Sequence, residues 1–453
     1  MSEVPKNEAT LHANRFEEMF LHALSVFLKN KLLLYVVYGV ILSYFYNLAV
    51  INYSITGDNE FRLYDVLGGI ILYNYYKYRM LINVVIRKVP FFKILKKFML
   101  WASITMVLTL IFHVINDKLL SFLQVILYMY HFWVFYLAAV FFYIFCLDKA
   151  TMKNGIYFIL FLSIASCIII VSQNLGTLDF LWSEAYKKAY EGFLSGTLGP
   201  NKIVTGMTSL FVLSLCLGIL LEKKFKVNTI IVYLAVLLNI YIIIISGSRT
   251  TYVALIIMLL FFALRSPLRF ILSVSVMTIL FVFTLSTNPA LQKTLDDTLQ
   301  KRIFGKTKVF DDKDAELTDA YSDLGSGRED LTKNNFMYLI ENPLVLPFGR
   351  GFVNHLNTTH GKSAHNMYLQ SIRETGIVGF VLYFGWLVSY LFIKFDKNSG
   401  FSIALQGLVY AMLVTLFFGE HLYIYRPLFG LLGLFLIITS IFVSSLHKIQ
   451  IKS

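Results

Sequence analysis

Runs of about twenty apolar residues recur along the whole chain, the length a helix needs to cross the hydrocarbon core of a bilayer. The runs are continuous and do not alternate, which excludes a membrane-spanning barrel, whose strands show a period of two. The pattern predicts an all-α polytopic membrane protein with about twelve transmembrane helices. Their centres fall near Ile41, Leu72, Val107, Phe135, Leu162, Leu213, Ala235, Ile256, Val276, Phe384, Val409 and Leu434. The second run is the least regular, because it carries Asp65 and many tyrosines.

The polar interruptions set an orientation. Lys and Arg collect in "KYRMLINVVIRKVPFFKILKK", "EKKFK", "RSPLR" and the tail "HKIQIKS". With twelve spans all of these fall on one side, the cytoplasmic side by the positive-inside rule, together with both termini. Two outer segments stand out, a smaller one over residues 174–200 and a large one over 287–365 between spans nine and ten. The large loop is not low-complexity: "NPALQKTLDDTLQKRIF" has helical spacing, and "GSGREDLTKNNFMYLIENP" reads as a helix that stops at Pro343. "LPFGRGF" reads as a turn by its glycines. Residues 1–453 thus form one integral membrane domain with a structured extracytoplasmic loop.

Composition agrees. Of 453 residues, 57% are hydrophobic and only 15% charged, with a mean hydropathy of +0.67, far from a soluble domain. The net charge of +13 follows from the basic loops and does not indicate a nucleic-acid partner. Cys146, Cys167 and Cys216 lie in apolar spans and read as buried thiols. The polar N-terminus is not expected to be a cleaved signal peptide, so the first span is expected to act as the insertion signal.

The candidate chemistry sits on the outer side. Arg249, in "SGSRTTY", is kept on the side that disfavours cations, which points to an anionic partner. Arg328, in "GSGRED", either pairs with Glu329 or Asp330 or binds a ligand. Arg350 lies in a glycine turn. In "KSAHNMYLQSIRETGIVGFVLYF" a polar segment runs straight into a span. Ser363 is expected to cap its helix, with His365 and Asn366 in a first turn whose free N–H groups and dipole favour phosphate. Asn366, Gln370 and Arg373 share one face and Leu369, Ile372 and Gly376 another, which predicts an amphipathic helix lying at the membrane surface. Asn201 and Lys202 open a span, with Asn201 as cap. Glu420, His421 and Arg426 read as a structural ion-pair group. The spans themselves look almost free of Asp and Glu, which speaks against a coupled transporter such as a lipid-linked glycan flippase. Arginines and a histidine gathered outside suit a diphosphate, which the guanidinium fork matches well.

In order, "GTLGPNKIVTG", "SGSRTTYVAL", "GSGRED…ENPLVLPFGRGF" and "HNMYLQSIRETGIVGFVLYF" resemble the motif series of the O-antigen ligase/polymerase superfamily, over roughly Gly196 to Phe384. The resemblance implies a GT-C-like membrane glycosyltransferase of the bacterial inner membrane, acting at its outer face without metal or cofactor. It implies an undecaprenyl-diphosphate-linked glycan as donor, a glycan hydroxyl as acceptor, and a chain-length regulator and a flippase as partners. Arg249 and Arg328 would then bind the donor diphosphate and His365 would act at the reacting centre, as base or as hydrogen-bond donor. Asn366, Arg350, Arg373, Asn201 and Lys202 would line the substrate site. The first expectation is a polymerase of O-antigen or capsular repeat units. The alternative is a ligase transferring finished polymer to lipid A-core.

Overall fold

A computed structural model describes residues 18–46, 49–52, 60–178, 196–198, 201–222, 225–265, 328–353, 365–393, 399–423 and 429–446, with scattered positions between 267 and 292. The helices among them are α1 (Glu18–Leu28), α2 (Lys31–Leu42), α3 (Leu63–Lys77), α4 (Arg79–Lys88), α5 (Pro90–Ile115), α6 (Leu119–Phe145), α7 (Lys149–Asn174), α8 (Lys202–Leu221), α9 (Thr229–Ser246) and α10 (Arg249–Arg265). After the long loop come α11 (Arg328–Glu341), α12 (Val345–Phe348), α13 (Met367–Ser389), α14 (Gly400–Thr415) and α15 (Phe429–Leu446). Strands β1 (Ala49–Asn52) and β2 (Glu60–Arg62) form an antiparallel pair.

Among the described residues six helices are long and apolar enough to cross a membrane, α5 to α9 and α13, and the number is seven if α1 and α2, bent by 63°, count as one. Helices α14 and α15 are apolar but shorter. The chain is therefore a multi-pass helical membrane protein. The span expected near Val276 and the loop helix expected over residues 288–304 lie outside the described residues.

Helix α8 is apolar and buried nearly all round, with α9, α10, α14 and α15 packed against it. A helix without a polar face belongs at the centre of a bundle. On the other side α5 packs between α6 and α13. Ile104, Leu108 and Ile111 of α5, Ile230 and Leu234 of α9, and Ile256 and Leu260 of α10 point outward, as a lipid-facing surface requires. All three cysteines are free and buried.

Two expectations need correction. The second run does not yield a full span: α3 is 15 residues, roughly 22 Å long against a core of about 30 Å. The basic segment after it forms α4, which buries Leu81, Ile82, Val85 and Ile86 and leaves Arg79, Arg87 and Lys88 exposed. Nor is the bundle almost free of acid. Asp65 is buried, takes the Arg62 backbone N–H at 2.7 Å and pairs with His131, midway along α6. Glu374 is buried inside α13. Each acid is tolerated because other elements supply its donors.

Candidate functional site

Helix directions bring most of the candidates to one end of the bundle. Glu222, just past α8, accepts from Ser399 Oγ at 2.6 Å and Gly400 N at 3.1 Å, so α8 and α14 run antiparallel. At the opposite end of α8, a Cβ on Gly206 would meet Thr251 Oγ1 at 2.6 Å, so the start of α10 lies against the start of α8. Met367 N donates to Leu416 O at 2.9 Å, tying the start of α13 to the end of α14. Asn201, Lys202, Arg249, His365 and Asn366 therefore share one end.

Each local structure follows from its sequence. Asn201 caps α8 as expected, its Oδ1 accepting from Ile203 N at 2.9 Å and Val204 N at 3.2 Å; Lys202 next to it is half-buried. In "SGSRTTY", Gly247 takes φ 59°, the left-handed turn that glycine permits. Ser248 then accepts from Thr251 N at 3.3 Å and from the Thr251 hydroxyl at 2.9 Å. This tight cap leaves Arg249 exposed as the first residue of α10.

The start of α13 differs from the expectation. Ser363 lies outside the described residues, and the cap is Asn366, whose Oδ1 accepts from Tyr368 N at 2.9 Å and Leu369 N at 3.3 Å. The helix thus begins at Met367, and His365 precedes the cap at φ 48°. Gln370 N donates to Asn366 O at 2.9 Å and Met367 N to Leu416 O. The N–H groups of residues 367–370 thus all have protein partners. The backbone phosphate cradle expected here is already filled, which leaves recognition of an anion to side chains.

The polar face of α13 turns inward, not to the membrane surface. Gln370 is 1% exposed, Arg373 4% and Glu374 1%. An Arg373 guanidinium nitrogen donates to Asn335 of α11, and another to Gln370 Oε1 at 2.9 Å. Gln370 Nε2 donates to Glu374 Oε1. The other Glu374 oxygen accepts from the Tyr423 hydroxyl and from Val353 N, the latter at 3.0 Å. One amide thus bridges a buried cation and a buried anion, its carbonyl toward the arginine and its NH2 toward the carboxylate. Burial first, and the Glu374 carboxylate second, push the Tyr423 phenol well above its ordinary range, so it stays a donor.

Gly376 breaks α13 with φ 70°. At the break the Arg373 carbonyl accepts from Arg350 N at 2.7 Å, Glu374 O from Gly351 N at 2.9 Å, and Thr375 O from Trp101 Nε1 at 2.7 Å. The "PFGRGF" turn is thereby stitched into the kink, and a Cβ on Gly376 would collide with Pro347 O. Thr109 Oγ1 holds Phe352 O at 2.8 Å, which sets the turn about 9 Å inward from the Ile115 end of α5. Val353, fully buried, sits at φ 63°, a strained conformation for a β-branched residue.

Arg350 is half-buried, with its guanidinium 5.6 Å from the centre of the Tyr338 ring of α11. Arg328 opens α11, the helix expected before Pro343; its side chain lies outside the described residues. His421 is in no ion pair among the described residues. It is buried against Thr415 Oγ1 at 3.0 Å, and burial pushes its pKa down to about 3; Arg426 lies outside the described residues. Sequence reasoning left Glu374, Asn335, Tyr423, Trp101 and Thr109 out of the site. The available signal was Gln370 and Glu374 one turn apart inside a span, where a charge has to find partners.

Residues 234–384, about a third of the chain, match the family model described as O-antigen ligase. No curated protein matches the chain. The matched stretch contains Arg249, Arg328, Arg350, His365, Asn366 and Arg373, while the Asn201–Lys202 junction precedes it. The exposed arginine turn, the stitched glycine turn and the His365–Asn366 helix start all lie within residues 234–384, the stretch that is similar to the O-antigen ligase family.

Proposed function

We propose that this protein polymerises undecaprenyl-diphosphate-linked oligosaccharide repeat units into O-antigen or capsular polysaccharide at the outer face of the bacterial inner membrane. The observation that carries this reading is the gathering of Arg249, His365 and the α8 start at one end of the bundle, within and beside the matched stretch. An acceptor hydroxyl attacks the anomeric carbon of the donor, the bond from that carbon to the diphosphate oxygen breaks, and undecaprenyl diphosphate leaves. Arg249 and Arg328 neutralise the charge that grows on the diphosphate, an electrostatic contribution suited to a good leaving group. His365 works at the reacting centre on the hydroxyl proton or on the diphosphate oxygen. Arg350, on the turn that closes onto α13, and Asn201 and Lys202, at the α8 start, face the same region and bind substrate. Arg373 contributes from behind, by holding Asn335 and Gln370.

On this reading the end that carries His365 is extracytoplasmic, both termini are cytoplasmic, and twelve spans enclose the loop over residues 287–365. A chain-length regulator and a flippase are its working partners. Similarity to the O-antigen ligase family favours a second reading, transfer of finished polymer to lipid A-core by a ligase.

Arg249→Ala and His365→Ala are expected to abolish long-chain glycan while the protein still accumulates in the membrane. Normal chain length in both variants would overturn the catalytic assignment. A null strain separates the readings: a polymerase null makes no polymer on the undecaprenyl carrier, whereas polymer still present there means a ligase.

A further inference from the structure

We infer that Glu374 is a positioning residue for this reaction, a buried carboxylate that sets the Gly349–Val353 turn against the His365–Asn366 helix start. The inference rests on the polymerase reading for the reaction it serves. Three chain segments converge on the one carboxylate. Gln370 reaches it from the first turns of α13, Val353 N from the turn after α12, and Tyr423 from the loop after α14. The end of α14, just before that loop, anchors the helix start, since Leu416 O takes Met367 N and Leu413 O takes the Tyr368 hydroxyl at 2.6 Å.

A second chain of contacts runs the other way, from Glu374 through Gln370 to Arg373 and Asn335. Asn335 lies two turns after Arg328 on α11. The network therefore fixes the helix that Arg328 opens relative to the helix that His365 precedes. Val353 shows that the arrangement holds a conformation the chain would not choose. Its left-handed φ of 63° persists because its N–H is fastened to Glu374 and the preceding carbonyl to Thr109. Strained residues of this kind cluster where geometry serves function. Glu374 is 1% exposed, so it acts through these neighbours and not on substrate.

The test uses the full chain purified in lipid nanodiscs, with Glu374→Gln as the main variant and Tyr423→Phe as a milder one. Glu374→Gln keeps the shape but removes the charge and one acceptor. Two readouts are taken: amide hydrogen exchange over residues 349–353 and 366–370, and steady-state extension of a lipid-linked repeat unit. Exchange is expected to rise at both segments. The kcat is expected to fall by about 10- to 100-fold, the cost of a small misplacement at a reacting centre, with KM for the donor within about two-fold and the folded fraction unchanged. Tyr423→Phe is expected to move both readouts in the same direction by less.

Unchanged exchange in Glu374→Gln overturns the inference whatever the turnover. Increased exchange with wild-type kcat, in an assay where His365→Ala is inactive, overturns it too. If His365→Ala is as active as wild type, it is the polymerase reading that falls, and the exchange data alone still decide whether Glu374 sets the turn.

Discussion

Two of the acids buried among the described residues, Asp65 and Glu374, are used differently. Asp65 caps its own helix through Arg62 N and pairs with His131 of the adjacent α6, while the neighbouring Tyr130 hydroxyl donates to the Asp65 carbonyl at 2.6 Å. All of its partners come from one helix start and one neighbouring helix, so it fastens the short α3 to α6. Glu374 gathers donors from its own helix, from the turn after α12 and from the loop after α14. A charge inside a membrane protein is costly in both places, and partners offset that cost in both. What differs is what the partners are attached to. The Asp65 pair holds one helix to the bundle, whereas the Glu374 group holds the α13 start, the turn after α12 and the loop after α14 in register.

The largest expected effect comes from breaking the Glu374 region at its backbone. Gly376→Ala places a Cβ against Pro347 O at a left-handed residue. The left-handed strain alone costs about 1–3 kcal/mol, and the collision adds to it. A clear fall in the thermal midpoint in detergent and loss of polymer are expected; a midpoint equal to wild type would mean that the turn is not locked into the kink.

A smaller effect follows from pH. The folded pKa of His421, about 3, lies below the ordinary value of about 6.5, so the unfolded state takes up the proton first. The stability from the buried neutral ring is full above about pH 6.5 and declines as pH falls toward 3. Between pH 7.5 and 5 the loss is about 2 kcal/mol, and His421→Gln should remove that part of the pH dependence. Parallel midpoint curves for the two proteins would contradict it.

The smallest effect on function is expected from Asp65→Asn. It keeps a cap acceptor and removes the charge facing His131, at a cost of about 1–2 kcal/mol. Folded protein should extend glycan at the wild-type rate. A drop in kcat without loss of folded protein would erase the contrast between the two acids.

Much of this was legible in the sequence. Continuous apolar runs gave the helical membrane class, Asn201 its cap, Pro343 the end of α11, and the two glycines flanking Arg350 their turn. Those features depend on residues close together in the chain. What was misread depends on distant partners. The polar face of "HNMYLQSIRET" looked solvent-facing because nothing local shows that Asn335, Val353 and Tyr423 come to meet it. The helix start looked ready for phosphate because the oxygen that fills one of its donors belongs to Leu416, in another helix. Asp65 looked like a flaw in a span because its partner, His131, lies within α6.

The central claim is that the end of the bundle carrying Arg249 and His365 transfers glycan from a lipid diphosphate. The most direct measurement supplies purified protein in proteoliposomes with an undecaprenyl-diphosphate-linked repeat unit and follows both products, longer glycan and released undecaprenyl diphosphate. Wild type should form both in step, and Arg249→Ala and His365→Ala neither. Glycan extension by either variant at the wild-type rate, or extension without release of lipid diphosphate, would contradict the claim.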